Sequence, residues 1–195
     1  MARPGPRGGR RGRQPIALRS RTMSDTAHSF TCPCCQGEHT GPSLSYGAEA
    51  PDLWHPDFAT DPASMLTDDL CAIKGQAFFI HGLIEIPVRD TGETFSWGVW
   101  ASLSPQSWAR TLEHWEDPNR EDEPPYFGWL STELPLYGTT TVNLKTHVHT
   151  RTLGRRPFIE LEPTDHPLAV EQRDGITAAR VAEIADLLLG APGGR

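Results

Sequence analysis

Three of the four cysteines lie within a span of four residues, in the stretch FTCPCCQGEH at residues 30–39. Cys32 and Cys35 have the C-x-x-C spacing, in which a tight turn points two thiolates at one metal ion. His39 follows Cys35 by four residues, within reach of the same ion. We therefore predict a zinc site formed by Cys32, Cys35 and His39, with Cys71 as the fourth ligand. The alternatives for the fourth position are His28, His55, His81 and Cys34.

The same cysteines allow other interpretations. A C-x-x-C redox pair normally sits at a strand-to-helix turn of a βαβ unit, and the sequence shows no such unit. A disulfide is disfavoured in the reducing cytosol, where we expect this protein to reside. The thiols can also be reduced and free, with Cys71 buried as a small apolar side chain. An open fourth position would instead suit a metal-assisted hydrolase or a related enzyme.

Two further groups could take part in chemistry. His147 and His149 project to the same side of a strand, where Glu160 could complete a metal site with them. Side chains on such a polar face are also typical of solvated surface. His166, which follows Asp165, could act in acid–base catalysis or simply cap a turn. Neither a nucleophile elbow nor a glycine-rich phosphate loop is present, so tight nucleotide binding is not indicated.

An acidic, proline-containing segment runs into the aromatic residues Tyr126, Phe127 and Trp129. If these side chains are exposed, they form a recognition surface. If they are buried, the segment is a loop that packs against the sheet, which is the interpretation we favour.

The elements that must position these residues are mainly strands. LCAIKGQAFFI predicts two strands around Lys74-Gly75, and LIEIPV and FSWGVWASL predict two more around the turn RDTGE. VNLKTHVHTR and PFIELEP predict another pair, joined by a turn near Leu153-Gly154. Their alternation places His147 opposite Glu160 and Lys145 opposite Glu162. Residues 40–69 contain four prolines and predict a loop with one short helical turn at most.

Two helices are expected. Ser104 and Pro105 begin the first, which ends at Asp117-Pro118 and carries Trp108, Leu112 and Trp115 at core-facing spacing. Thr177 caps the second, which ends at Gly190 and buries Val181, Ile184, Ala185 and Leu188. The predicted fold is α+β: an antiparallel meander sheet covered by one or two helices, with an irregular N-terminal segment resembling a zinc knuckle.

Charge is divided unevenly along the 195 residues. Residues 1–22 hold seven arginines and no acid and are rich in glycine and proline, which predicts a disordered arm. Translation starting at Met23 would explain the arm, and a tail that binds nucleic acid or a membrane surface is the alternative explanation. Residues 23–195 carry eleven Lys/Arg against twenty-five Asp/Glu, a formal charge of −14, and predict one domain. Such an acidic domain disfavours nucleic acid as a partner, and the composition disfavours a membrane protein, so we predict a cytoplasmic protein.

Several long strings are similar to one bacterial family. They are FTCPCCQGEH, LSYGAEAPDLW, FSWGVWASLS, EPPYFGWLSTELP, NLKTHVHTR and PFIELEPTDHPLAVEQRDGIT. They resemble the family of domain of unknown function 2199, over about residues 30–189. The resemblance implies a single bacterial domain with the arm outside it, and it carries no activity over to these residues.

No residue pattern dictates a reaction, so binding is favoured over catalysis. The predicted function is that of a zinc-binding α+β domain that interacts with a protein or a small ligand. Residues 30–69 have few apolar anchors, and a structural zinc ion would contribute about 10 kcal/mol to folding them.

Overall fold

The computed structural model describes residues 18–19, 29–31, 38–40 and 43–190, with side chains for 43–188. Within these residues the strands are β1 Leu18–Arg19, β2 Ser29–Thr31, β3 Glu38–Thr40, β4 Ser45–Ala48, β5 Met65–Leu66, β6 Leu70–Ile73, β7 Ala77–Pro87, β8 Thr94–Leu103, β9 Tyr126–Trp129, β10 Lys145–His149 and β11 Phe158–Leu161. The helices are α1 Pro105–Glu113, α2 Pro167–Asp174 and α3 Ala178–Gly190, with short 3₁₀ helices at Pro56–Thr60, Arg120–Asp122 and Pro135–Tyr137. The fold is therefore α+β, as predicted.

The centre of the sheet is the antiparallel run β6–β7–β8. Lys74 and Gly75 form the tight turn between β6 and β7 with positive φ angles of 52° and 62°, a conformation that suits two-residue hairpins. The predicted strands AFFI and LIEIPV are one strand, because β7 continues unbroken for eleven residues against β8.

The prediction of a purely antiparallel meander is wrong. β4 pairs with β8 in parallel, and β11 pairs with β7 in parallel through Phe158 and Leu83. Both partners reach the centre of the sheet from distant parts of the chain, so neither pairing follows a hairpin. Hydrophobic alternation does not report strand direction, so the sequence pattern could not reveal this mixed topology.

The mixed sheet curls until it meets itself. Its order β8–β7–β11–β10–β9 returns to β8, because an antiparallel bridge joins Ala101 to Leu130 and Ser131 N donates to Trp100 O at 2.7 Å. At another point of this ring, the absence of a side chain at Gly82 of β7 lets Ile159 of β11 approach closely, since a Cβ on Gly82 would lie 2.6 Å from Ile159 Cδ1. The ring separates an inner core from an outer face, and the residues with candidate chemistry lie on both.

The predicted register of the β10–β11 hairpin is confirmed. His147 lies opposite Glu160, and Glu162 N donates to Lys145 O at 2.9 Å just beyond the paired residues of β11. Val148 and Ile159 point into the core on the other side of the sheet. Successive side chains of a strand point to opposite sides of the sheet, so His147 and Glu160 lie on the outer face, away from the core.

The helices agree with the predictions only in part. Ser104 accepts a hydrogen bond from Ser107 N as the cap of α1. α1 ends at Glu113 rather than at Asp117, so Trp115 lies beyond it, and Leu112 is exposed. α3 is as predicted, with a cap at Thr177 and an end at Gly190. α2 was not predicted, because its eight residues show little amphipathic pattern.

The N-terminal predictions fall largely outside the described residues. β1 lies within the arm at residues 1–22 and pairs with β4, Leu18 opposite Ala48 and Arg19 opposite Gly47. For the rest of the arm, disorder stays a prediction. The zinc-knuckle segment also lies mostly outside the described residues, apart from the short ladder β2–β3 on either side of it.

Candidate functional site

The predicted zinc ligands are placed only partly. Cys32 and Cys35 lie outside the described residues, and His39 is described by its backbone in β3. β2 and β3 are antiparallel, with Phe30 opposite His39 and Thr31 opposite Glu38. Residues 32–37, which contain the C-x-x-C motif, therefore connect two paired strands.

Cys71 lies in β6 opposite Phe79 and is fully buried. Its neighbours in one apolar cluster are Ala48, Ile73, Phe79 and Trp100. Burial raises the pKa of the Cys71 thiol from its ordinary value of 9.0 to about 12. Zinc binds the thiolate, so this environment opposes the ionisation that a ligand needs. The role of Cys71 as fourth ligand stays a prediction, but its surroundings are those of a small apolar side chain.

His81, an alternative ligand, is buried and stacks on Trp100, with ring centroids 4.9 Å apart. Its Nδ1 lies 2.9 Å from the Asp68 carbonyl oxygen, so Nδ1 carries the proton and Nε2 the lone pair. Burial lowers the pKa of His81 to about 4, the nearby Arg156 cation contributing in the same direction. His81 is therefore a neutral core imidazole at physiological pH.

A preformed metal centre is not found in the described part of the chain, where no three His, Cys, Asp or Glu side chains could hold one ion. The predicted trio of His147, His149 and Glu160 does not converge. His149 Nε2 lies 2.7 Å from Glu160 Oε2, whereas His147 Nε2 faces Glu162 at 3.6 Å. Each imidazole thus pairs with its own carboxylate across the strands.

The outer face of β9–β11 exposes two large aromatic side chains. Phe127 and Trp129 are 43% and 42% exposed, and their rings meet edge to face at 5.3 Å. Tyr126, one residue earlier, is buried, and its hydroxyl donates a hydrogen bond to Glu123 Oε2 at 2.8 Å. The prediction that the whole segment is a buried loop is therefore wrong, because β9 is a strand whose residues alternate between core and solvent.

A second group of polar side chains surrounds a cavity of about 10 Å³ between α1, the loop after it and β9. Sequence reasoning missed this group. His114 caps the end of α1, and its Nδ1 lies 3.0 Å from Asp117 Oδ2. The Asn119 amide and His114 hold the pKa of the Asp117 carboxyl below its usual range. The spacing H-x-x-D was the available signal, but it is common on surfaces and did not single out these residues.

Glu123 connects this cavity to β9 and to Arg110. Its carboxylate accepts from Arg110 Nε at 3.0 Å and Nη2 at 2.6 Å, and from the Tyr126 hydroxyl. The Arg110 bonds, followed by that of Tyr126, hold the pKa of Glu123 below its usual range. Burial, followed by the Glu123 bond, raises the pKa of Tyr126 to about 12. The carboxylate therefore stays ionised and Tyr126 stays protonated at neutral pH.

His166 serves as a cap rather than as a catalytic group. Its Nδ1 accepts from Leu168 N at 3.1 Å at the start of α2, and its Nε2 lies 2.9 Å from the Thr139 hydroxyl. Both ring nitrogens are thus occupied, which confirms the capping alternative. None of the helices in the described part of the chain combines the length and apolar character needed to cross a bilayer.

Comparison with known proteins assigns this chain to a protein family. No curated protein and no solved structure shows significant similarity to this chain. Residues 31–176, which include β4–β11, α1 and α2, match the family described as an uncharacterized protein conserved in bacteria (DUF2199). The match covers most of the chain, and the protein therefore belongs to this bacterial family of domain of unknown function 2199.

Proposed function

We propose that this protein is a binding domain that recognises a basic peptide segment of a partner protein on the outer face of β9–β11. We further propose that Cys32, Cys35 and His39 bind a structural zinc ion in its N-terminal segment. The observation that carries the binding function is the exposure of Phe127 and Trp129 side by side on β9.

The aromatic pair is unusual for a free surface. Exposed aromatic side chains that are held in place by their neighbours lose little entropy on binding, which makes them effective contact residues. The Phe127 ring meets Trp129 on one side and the His147 ring on the other, at 6.1 Å. Strand pairing with β10 fixes the backbone beneath them. The face is thus prearranged for contact.

The charges beside these rings favour a cationic partner. Glu160 and Glu162 lie on the same face, where the Lys145 ammonium group lies 3.6 Å from the Glu162 carboxylate. The whole chain has a formal charge of −7 at neutral pH. An acidic protein attracts basic segments over long range, and aromatic faces attract guanidinium and ammonium groups at short range. A peptide with arginines and apolar residues satisfies both features.

Calorimetric titration with a synthetic Arg/Leu peptide tests this partner class, with a Glu/Leu peptide as the reversed-charge control. The double variant Phe127→Ser/Trp129→Ser should weaken binding of the basic peptide at least tenfold, since two aromatic contacts of about 1 kcal/mol or more would be lost. The matched control Leu53→Ser removes an apolar side chain that is 61% exposed elsewhere and should leave affinity unchanged.

Equal binding of both peptides would contradict the charge argument. Unchanged affinity of the double variant would contradict the site, and failure of the basic peptide to bind would contradict the partner class. Concentration-dependent self-association that the double variant abolishes would identify a second copy of the chain as the occupant instead.

The zinc part of the proposal is supported by chain geometry. The β2–β3 ladder brings the residues on either side of the C-x-x-C segment together, as a metal-binding turn requires. Cys71 would first have to ionise in an apolar site, so the three local residues form the core of the proposed centre. The described residues offer no observation that favours a metal-assisted hydrolase.

Metal analysis of protein purified under reducing conditions tests this part. We expect one zinc ion per chain, lost in Cys32→Ser/Cys35→Ser and retained in the neighbouring control Gln36→Ser. Wild-type protein without zinc, and with a thermal stability that a chelator does not change, would refute it.

A further inference from the structure

The cavity beside His114 contains polar atoms that the protein itself does not satisfy. It is bounded by α1, the segment after α1, β9 and Thr150, and it has a volume of about 10 Å³. Within the described residues, His114 Nε2 and Arg120 Nε are buried and have no hydrogen-bond partner. Both residues line this cavity. Buried polar atoms in native proteins normally have partners, so this pair points to a guest.

The His114 ring presents an acceptor to the cavity. Asp117 Oδ2 lies 3.0 Å from Nδ1, and an ionised carboxylate only accepts hydrogen bonds. The proton of the neutral ring is therefore on Nδ1, and Nε2 has a free lone pair. The nearest carboxylate oxygens to Nε2 are Glu123 Oε1 at 3.7 Å and Glu113 Oε2 at 3.9 Å, which are beyond direct hydrogen-bond range.

Arg120 presents a donor to the same space. Its residue is only 6% exposed, and its Nη1 donates to the Trp115 carbonyl oxygen at 2.9 Å. The guanidinium also lies over the Trp115 ring, 5.0 Å from its centroid. No carboxylate of the described residues lies within ion-pair distance of it. The Nε–H group of this buried cation therefore has no acceptor among the described residues.

One donor and one acceptor around a small space select the chemistry of the guest. A chloride or carboxylate could accept from Arg120 but would face the Glu123 carboxylate, which also lines the cavity. A cation would face the Arg120 guanidinium. A hydroxyl group accepts from Arg120 Nε and donates to His114 Nε2, and one water molecule needs about 10–15 Å³.

We infer that the cavity is a binding site for one hydroxyl group, supplied either by a solvent water molecule or by a small alcohol or polyol. The proposal is independent of the zinc centre and of the outer face of β9–β11. A guest hydroxyl would lie against an imidazole that Asp117 holds in one tautomer. This is the arrangement in which a hydroxyl can share its proton with a base.

High-resolution crystallography of the full-length protein, without and with glycerol, tests the inference. We expect an oxygen peak within about 3.2 Å of both His114 Nε2 and Arg120 Nε. In solution, glycerol titration followed by the ring ¹⁵N signals of His114 distinguishes the sources. A saturable shift identifies a polyol hydroxyl as the guest, and a crystallographic water with no shift identifies solvent; either result supports the hydroxyl site.

His114→Phe removes the acceptor and fills the space, so the peak and any glycerol response should be lost. His55→Phe is the matched control, because His55 also pairs with an aspartate, Asp57 at 3.2 Å, but lies away from this cavity. Unfolding curves of both variants establish that they are folded. A cavity without density between ordered side chains, or an anomalous signal from chloride or a metal ion, would overturn the proposal.

Discussion

Replacing Cys71 with alanine separates two roles for this buried thiol, that of zinc ligand and that of apolar core residue. The side chain is fully enclosed by Ala48, Phe79, Trp100 and their neighbours. From its environment we expect Cys71→Ala to behave as a core truncation and to leave zinc content unchanged.

The magnitude follows from burial. Removing one enclosed sulfur atom costs its transfer free energy plus a small cavity term, about 1–2 kcal/mol. Cys71→Ser keeps the size but buries a hydroxyl among apolar groups, which costs about 1–3 kcal/mol. As a ligand, Cys71 would need to ionise inside an apolar cluster, and burial raises its pKa from 9.0 to about 12. This apolar environment is the reason that we expect no loss of zinc.

Two measurements decide between the roles. Urea unfolding with and without a chelator should give the same loss of free energy for Cys71→Ala in both conditions, since a core truncation is independent of metal. Metal analysis should give the wild-type zinc content. A variant that lost zinc, with a destabilisation that disappeared in the presence of chelator, would refute the reasoning and establish Cys71 as the fourth ligand.

Burial of the Cys71 thiol should also make the stability of the protein depend on pH in the alkaline range. Its pKa in the folded state lies above the ordinary value, so its contribution to stability is complete below pH 9.0 and is lost as the pH rises toward about 12. Cys71→Ala should therefore lose less stability than wild type over this range. Parallel alkaline unfolding curves would contradict the assigned environment.

Three other perturbations follow from the fold. Gly82→Ala should lower the free energy of unfolding in urea by more than about 2 kcal/mol, because the added Cβ would lie 2.6 Å from Ile159 Cδ1. Gly47→Ala is the control and should cost less, because its Cβ would have 3.4 Å to its nearest neighbour. Equal costs would refute the close packing of the ring. His81→Leu should make the free energy of unfolding less dependent on pH in the acid range. The pKa of His81 in the folded protein is about 4, below the ordinary 6.5, so the wild type loses roughly 3 kcal/mol of unfolding free energy as the pH falls from 6.5 through 4. An acid dependence that is the same in the variant would contradict this. Ser104→Ala should cost about 1 kcal/mol by removing the cap of α1, measured by the same unfolding assay, and no change would show that the cap is dispensable.

Local features of this protein could be predicted from the sequence because their causes are local. The β10–β11 register follows from two-residue alternation in two strands that one connection, residues 150–157, joins directly, and it places His147 opposite Glu160. Ser104 and Thr177 begin helices because their hydroxyls satisfy amide groups three residues away. The tight turn at Lys74-Gly75 could likewise be predicted from the residues that form it. Each depends on residues within a few positions along the chain.

The tertiary structure decided what depends on distant contacts. The parallel pairings of β4 and β11, the burial of Cys71 beside Trp100 and the exposure of Phe127 depend on which surfaces meet across the folded chain. The cavity beside His114 is a further case, since Thr150 reaches it from the end of β10. Composition and periodicity specify that a side chain prefers burial, but the partner that buries it is selected by packing of the whole sheet, where many weak contacts act together.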